Sequence, residues 1–428
     1  MFRQAIIVGV VLLGALPAYA VKYSVTLLPA PAFASSDALG NSTTNQVGYG
    51  TTAGSNHALL WNGATTSAID LTPTGYTTSV ANAVSGTHQV GSAITTGATL
   101  SHATLWTGTP ASIVDLNPAG YASSTATGVN GSTQVGYGTS NNNLTHALLW
   151  TGSAASAVDL NPAGFVDSRA NGDSATNQIG QATTAGGQAH ATLWSGTAAS
   201  AVDLAPASFG NTYGIAVSGT NQVGYGTPTA SSSVHALLWK GTAASVVDLH
   251  PAGWLYSYAN SVSGNTEVGS ASTITTSLTT HAFLWTGTSA SALDLQQFVT
   301  AQLGSAFVNS EANSIADNGA IVGRVQDASL NSYAVIWKPE TGVAGDYNNN
   351  GVVDMADYVL WRNGGTLFNE VSTPGANTSD DYTAWRARFG NTSASATATL
   401  SGTAIPEPSL ISMAIIATLA AANIRSRR

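Results

Sequence analysis

Cysteine is absent from this chain, so no disulfide can staple it and no thiolate can hold a metal. Charge is scarce as well. Lys, Arg, Asp and Glu make up 8% of the 428 residues, against about 25% in an average soluble domain. Between Val21 and Glu340 the only cations are Lys22, Arg169, Lys240, Arg324 and Lys338. Nucleic acid needs clustered Lys and Arg to displace counterions, and no such cluster is present. The net charge of −9 is spread thinly among Ser, Thr, Ala, Gly and Asn. With neither disulfides nor dense ion pairs, stability has to come from an apolar core and from repeated units stacking on one another.

What the sequence has is repetition. His57-Ala58-Leu59-Leu60-Trp61 is followed by Asp70-Leu71, and the His recurs at His102, His146, His190, His235 and His281. Each His is answered thirteen residues later by an Asp: Asp70, Asp115, Asp159, Asp203, Asp248 and Asp294. Gln46-Val47-Gly48 precedes the first copy. It recurs at Gln89-Val90-Gly91, Gln134-Val135-Gly136 and Gln222-Val223-Gly224, and in varied form at Gln178-Ile179-Gly180, Glu267-Val268-Gly269 and Ile321-Val322-Gly323. Seven copies at a period of ~44 residues override a count of domains based on length. Each unit holds four short β-branched or aromatic runs parted by Gly, Pro, Asn and Ser, with no helical period of comparable length. That is the spacing of a β-propeller blade. A right-handed β-solenoid is the rival, with coils usually shorter than this.

The expected fold is therefore all-β, a seven-bladed propeller of four-stranded repeats over residues 21–340. After Trp337 the seventh unit has no Asp-Leu strand, whereas Val25-Thr26-Leu27-Leu28-Pro29 resembles one with nothing before it. The N-terminal segment is expected to close the ring as the outer strand of the last blade, leaving no free edge. At this seam Tyr333 replaces the His and Thr26 is expected in the Asp slot. Joint loss of both marks His and Asp as partners across a hairpin. A catalytic set is built once, whereas this one recurs in every blade. We therefore expect a buried polar pair that fixes register, beside a Trp filling the gap between blades. The pattern from Val25 to Trp337 resembles the HAF-family extracellular repeat, which implies secretion without an assigned activity.

Outside the repeated slots stand Asp37, Asp167, Asp173, Glu267, Glu311, Asp317 and Asp327, read as solvated loop charges; a glycosidase or lyase needs two carboxylates within about 5–10 Å of each other. The aromatics after each Pro-x-Gly turn, such as Tyr76, Tyr121, Phe165, Phe209 and Trp254, are expected in packing, with stacking on sugar rings the alternative.

Composition shifts at Thr341. Asp346, Asn348 and Asn350 stand at positions 1, 3 and 5 of a twelve-residue loop, with Gly351 at the turn. Val352 offers its carbonyl, Asp354 takes position 9 and Asp357 position 12. This oxygen-only spacing is that of a calcium loop, and one Ca²⁺ site is expected. The Asp at position 12 and the following Tyr358-Val359-Leu360-Trp361-Arg362 resemble a type I dockerin repeat, so residues 341–392 are expected to form a small α-helical dockerin-like module. A second copy ending at Asp381 carries Pro374 at position 5, which has no side-chain oxygen, and is degenerate. Tyr382, Trp385 and Phe389 share one helical face, expected against the first helix. The resemblance implies cohesin recognition through positions 10 and 11. Those are Met355-Ala356 and Ser379-Asp380, unlike the Ser-Thr common in cellulosomal dockerins, which argues against a cohesin-like partner.

Both ends read as targeting segments. Arg3, the apolar run Ala5–Leu13 and Ala18-Tyr19-Ala20 predict a signal peptide over residues 1–20. Residues 393–404 read as a flexible linker. Over 405–428, Pro406-Glu407-Pro408 leads into an uncharged run from Leu410 to Ile424 and then Arg425-Ser426-Arg427-Arg428. The run is shorter than the roughly 20 residues that span a bilayer comfortably. Its three parts resemble the PEP-CTERM sorting signal of exopolysaccharide-producing bacteria, which implies an exosortase partner and transient membrane association through a C-terminal apolar helix. The functional expectation is an exported, non-enzymatic protein of the cell envelope, outer surface or exopolysaccharide matrix. It would be a binding or structural scaffold, with neutral glycans or exopolysaccharide as the ligands suited to a charge-poor surface. The alternative is a polysaccharide-degrading glycosidase or lyase tethered through the dockerin-like module; a third class is an architectural protein with no ligand.

Overall fold

The computed structural model describes residues 23–63, 67–274, 278–340, 342–348, 351–365, 367, 369–370 and 377–392. The signal peptide expected at 1–20, the linker at 393–404, and the sorting signal with its apolar helix at 405–428 lie outside the described residues, as does Asn350. Tyr23–Pro339 forms one compact unit, and the described residues from Glu340 to Thr392 belong to another. No helix among the described residues is long and apolar enough to cross a membrane.

The larger unit is a seven-bladed propeller of antiparallel four-stranded sheets. Blade 3 serves as the pattern: inner strand Tyr121–Asn130, second strand Thr133–Ser140, third strand Thr145–Trp150 and outer strand Val158–Asp159. Gly131, at φ +56°, opens the two-residue loop between the first two strands, a backbone conformation that a side chain with a Cβ resists. Every inner strand carries a β-bulge; in blade 3 it lies between Ala126 and Gly128. The Gly of each Gln-Val-Gly faces the backbone beside that bulge. A Cβ on Gly136 would stand 2.0 Å from the Thr125 carbonyl oxygen, so nothing larger than Gly fits.

Each core cluster bridges two blades. Val90, Ala103, Leu105 and Leu116 of blade 2 meet Ala126, Val129, Leu148 and Trp150 of blade 3, all buried. The Trp thus fills the gap between blades, as its place in the repeat predicts. Two polar stitches accompany it. The outer strand is only two residues long, so the backbone N–H of the Ala after each His finds no ladder partner. A Ser or Thr hydroxyl on the next blade's inner strand accepts it: Ser79 from Ala58, Ser124 from Ala103, and so on to Ser36 from Ala334, at 2.9–3.0 Å. At the channel, Asn82, Thr127, Asn171, Asn260 and Asn313 sit at the bulges and donate to a carbonyl of the next inner strand. Leu39 and Ile215 replace them in blades 1 and 5.

The ring closes as expected, with one correction. Tyr23–Leu27 pairs with Ser332–Pro339 as the outer strand of blade 7. Leu27, not Thr26, lies opposite Val335, as Asp70 lies opposite Leu59. Leu28 donates its N–H to the Ala334 carbonyl as Leu71 does to Ala58. The apolar alternation of Tyr23, Val25 and Leu27 turns those side chains inward and leaves Thr26 exposed, and this period of two decides the register.

Helix α1, Gln296–Leu303, was not anticipated. It replaces the short turn before blade 7 and covers the far edge of the closing strand. The Gln302 amide accepts from Val25 N–H at 2.9 Å and donates to the Tyr23 carbonyl at 2.7 Å. Its signal was in the spacing: Asp294 and Phe307 are thirteen residues apart, where Asp70 and Tyr76 are six.

The smaller unit contains α2, Met355–Arg362, and α3, Ser379–Arg388. They pack through Tyr358 against Trp385 (ring centroids 5.1 Å apart) and Trp361 against Tyr382 (5.1 Å), the face that Tyr382 and Trp385 predict. Both begin with capping boxes, in which Asp357 and Asp381 accept from the N-cap backbone.

Removing Tyr23–Pro29 is expected to lower the melting temperature of the propeller by several degrees, since blade 7 and α1 lose their shared strand. Differential scanning calorimetry of the truncated chain measures it, and an unshifted transition would refute closure by this segment.

Candidate functional site

The repeated His and Asp meet in all six blades that carry both. Nδ1 of His57, His102, His146, His190, His235 and His281 lies 2.6–2.8 Å from Oδ2 of its Asp. The other Asp oxygen accepts the backbone N–H two residues on, fixing the turn that leads into the next blade, as with Asn117 N–H on Asp115 at 2.7 Å. The pair locks register as expected, but it is not buried: the Asp side chains are 34–53% exposed. The short Val158–Asp159 type of outer strand leaves them at the blade rim. Each pair therefore contributes only about 0.2–1 kcal/mol. The aromatics after the turn settle onto the same cluster. Phe165 packs on His190 (6.2 Å), Trp254 on His281 (5.1 Å), and the Tyr121 hydroxyl reaches Asp159 at 3.4 Å. At Tyr333, where the His is lost, the ring packs on Phe307 instead.

Five of the seven unrepeated acids also serve structure. Asp167 accepts from Thr145 N–H and Asp173 from the Thr133 hydroxyl. Asp317 takes the Ser263 hydroxyl, and Asp327 pins the Ser329 and Asn331 N–H groups. Glu267 fills a Gln slot. In blades 2, 3 and 5 the Gln oxygen accepts a glycine N–H after the third strand while its amide donates to a carbonyl two residues back, as Gln134 does with Gly152 and Ser132. Glu267 makes the first bond, with Gly287, but its other oxygen is buried without a partner among the described residues, and burial pushes its pKa up.

Asp37 and Glu311 depart from the expectation of solvated loop charges. Both sit on inner strands, and Arg324 joins them: NH1 lies 3.3 Å from Asp37 Oδ2 and NH2 lies 2.6 Å from Glu311 Oε2. Asp37 is 3% exposed and also accepts from the Asn313 amide at 3.0 Å. Burial raises its pKa to about 7, against the opposing pull of Arg324. Burial disfavours the Arg324 cation, but Glu311 and Asp37 outweigh it and hold the guanidinium charged.

These residues occupy one recurrent place. The residue after each Gln-Val-Gly faces, across the hairpin, the inner-strand residue two before the bulge: Asp37–Tyr49, Thr125–Tyr137, Arg169–Gln181, Tyr213–Tyr225, Tyr258–Ser270 and Glu311–Arg324 among them. Neighbouring blades touch here, with Arg169 over the Tyr137 ring at 4.5 Å and Tyr225 edge-on to Tyr258 at 5.0 Å. Glu311 of this belt also lines a channel of about 390 Å³ whose wall is otherwise mostly Gly, Ala, Val, Asn, Ser and Thr. The residue type in the belt slot varies from blade to blade: Tyr49, Ser92, Tyr137, Gln181, Tyr225, Ser270 and Arg324 follow the successive Gln-Val-Gly elements. Sequence reasoning had Asp37 and Glu311 but missed Arg324 and the tyrosines; the register of the Gln-Val-Gly strand was the signal that unites them.

In the smaller unit the calcium-loop residues are folded as a tight turn. Asp346 is 1% exposed and accepts Gly351 N–H at 2.7 Å. Asp357 is fully buried, with Asn348 N–H at 2.9 Å on one oxygen and Asp354 N–H at 2.7 Å on the other. Burial, with Asp346 and Asp354 nearby, raises the Asp357 pKa. Asp354 caps α2 through Ala356 N–H, and Val352 bridges to Thr392. No group of three or more His, Cys, Asp or Glu disposed to hold a metal ion occurs among the described residues. The second loop is described at Glu370 and Asp381, and its remaining expected positions before Asn377 lie outside the described residues.

No family model matches the chain, and no curated protein does. Among solved structures it is similar to a Mycobacterium tuberculosis puromycin-hydrolysing peptidase, at 13% identity and TM-score 0.44, over 68% of this chain and 50% of that one. It is also similar to an oligogalacturonate lyase in complex with manganese (8%, 0.47, 74% and 97%) and to a lectin from Burkholderia pseudomallei (10%, 0.40, 76% and 97%). The chain spans half the length of the peptidase. At these identities and scores the likeness carries no functional inference.

Glu267→Gln is expected to stabilise the propeller by about 1–2 kcal/mol at pH 7–8, because it restores the missing donor. The folded-state pKa of Glu267 is raised, so its contribution is complete below the unfolded pKa and is lost as pH rises through the folded one. The gain should therefore vanish near pH 4 and grow toward neutrality in urea melts. A gain that is flat with pH would contradict this origin.

Proposed function

We propose that this protein is an exported, non-enzymatic scaffold of the cell surface or exopolysaccharide matrix, whose propeller binds neutral glycans at this belt. One observation carries the reading. The polar residues common to most blades are consumed by the framework, whereas the tyrosines, Arg169, Arg324, Gln181 and Glu311 of the variable slot gather in a single belt. Aromatic faces against sugar C–H groups, with Arg, Gln and Glu on hydroxyls, are what saccharide recognition uses. Export is supported by the sequence around Ala18-Tyr19-Ala20, and surface delivery through an exosortase by Pro406-Glu407-Pro408 and its tail.

The enzymatic alternative has one observation in its favour: Asp37 and Glu311 converge. Against it, Asp37 is covered and bound by Asn313 and Arg324, so it has no path to a glycosidic oxygen. The purified full-length chain is expected to be retained on neutral polysaccharide in affinity electrophoresis and to release no reducing ends from it. Steady release would establish the glycosidase reading, and absence of retention across a broad panel would defeat the binding one.

For the smaller unit we infer one calcium ion, held by Asp346, Asn348, Asn350, Val352, Asp354 and Asp357. The oxygen-only donors suit a hard cation, and the burial of Asp346 and Asp357 supports it, since buried carboxylates are costly without a counter-charge. A bound ion would supply that charge and rigidify the turn before α2. A cohesin-like partner is not favoured, given Met355-Ala356. Titration calorimetry of the full-length chain is expected to show one calcium site, abolished by Asp357→Asn; two equivalent sites, or none at millimolar calcium, would refute it.

A further inference from the structure

We propose that the cavity where blade 6 meets blade 7, walled by Glu311 and Arg324, is the subsite for one neutral pyranose residue. It rests on the glycan-binding reading above and locates it. The cavity measures about 460 Å³, within the range of small-ligand sites, and it reaches the channel belt through Glu311.

Its walls hold donors and acceptors side by side. Glu311 gives one oxygen to Arg324, and the other has no partner among the described residues. Arg324 is aimed by its bonds to Asp37 and Glu311 and keeps further N–H donors beside them. The Asn309 oxygen is taken by Thr280 N–H, which leaves its amide to donate; the Gln326 amide is taken by Ser332, which leaves its oxygen to accept. Vicinal sugar hydroxyls each donate and accept, so they match this alternation. Leu330, 67% exposed at the rim, offers an apolar surface for ring C–H groups.

Charge sets the class. One guanidinium faces two carboxylates, so no net positive field is left for a uronate or a phosphate. Asp37 is a positioning residue: it is buried, fixed by Asn313, and acts only by holding Arg324.

The test uses the full-length chain with methyl gluco-, galacto- and mannopyranosides, and with glucuronate and inorganic phosphate as anionic counter-probes, read by saturation-transfer NMR and calorimetry. At least one neutral glycoside should bind. Glu311→Gln and Gln326→Ala should each weaken it about tenfold or more without shifting the melting curve. Should Glu311→Gln unfold the seam, Gln326→Ala at the cavity wall decides alone. A glycoside bound by the native chain and untouched by the variants overturns this subsite while leaving the general reading standing. Preference for glucuronate or phosphate overturns the neutral class, and failure of the native chain to bind any saccharide defeats both readings.

Discussion

The ring depends on an orphan backbone N–H. In six blades the outer strand is two residues long, and in blade 7 it ends at Leu27, so the Ala after the His, or after Tyr333, has no ladder partner for its N–H on that side. A buried donor left unpaired costs about 1–3 kcal/mol. The next blade supplies a Ser or Thr hydroxyl at every one of the seven seams, including the one between Ala334 and Ser36. A blade is thus incomplete by itself, and its missing acceptor is carried by its neighbour. Seven such dependencies closed in a circle make the ring the smallest unit in which every one of these backbone N–H groups is satisfied. The Trp between blades adds apolar burial, and the hydroxyl adds one directional bond across the same gap.

Much of this was legible because it is periodic. The period, the hairpin partnership of His and Asp, the place of the Trp and the closing role of the N-terminal strand all follow from spacing. What escaped was whatever spacing cannot resolve. Thr26 aligned with the Asp slot by letters, whereas apolar alternation placed Leu27 there. Helix α1 lay in an eight-residue stretch with no counterpart in other blades. The exposure of the His–Asp pairs depends on how briefly the outer strand pairs, which composition does not encode. In the smaller unit, the loop spacing told which oxygens are available, and the helical aromatics told which faces meet, but not that Asp357 also closes the capping box at the start of α2 by accepting the Asp354 N–H.

Repetition also separates framework from function. A polar residue that recurs in every blade is spent on something every blade needs, and the distances show where: Asp on His and turn, Gln on a glycine N–H, Ser on the orphan donor, Asn across the bulge. Subtracting these leaves the residue after Gln-Val-Gly and its partner on the inner strand, the slot whose identity the framework does not dictate. Two of the five cations between Val21 and Glu340, Arg169 and Arg324, sit there. In a chain with so little charge, that concentration has a physical meaning: the rest of the surface offers a ligand only weak, scattered hydrogen bonds.

The seam explains why the acid–guanidinium cluster is where it is. Blades 7 and 1 are joined through a strand from the other end of the chain, and here the His–Asp pair is missing. Asp37 from blade 1 and Arg324 from blade 7 tie across that junction, with Asn313 reaching over as well. Desolvating Asp37 is costly, and the pull of Arg324 offsets only part of that cost. The tie holds one guanidinium in one direction, toward Glu311 and the cavity. A ligand resting on Arg324 and Glu311 binds the closed ring more tightly, because opening the seam separates Asp37 from the group it aims. By linkage, any such ligand adds that difference in binding free energy to closure. The junction that closes the ring is therefore a place where ligand occupancy and ring integrity are coupled.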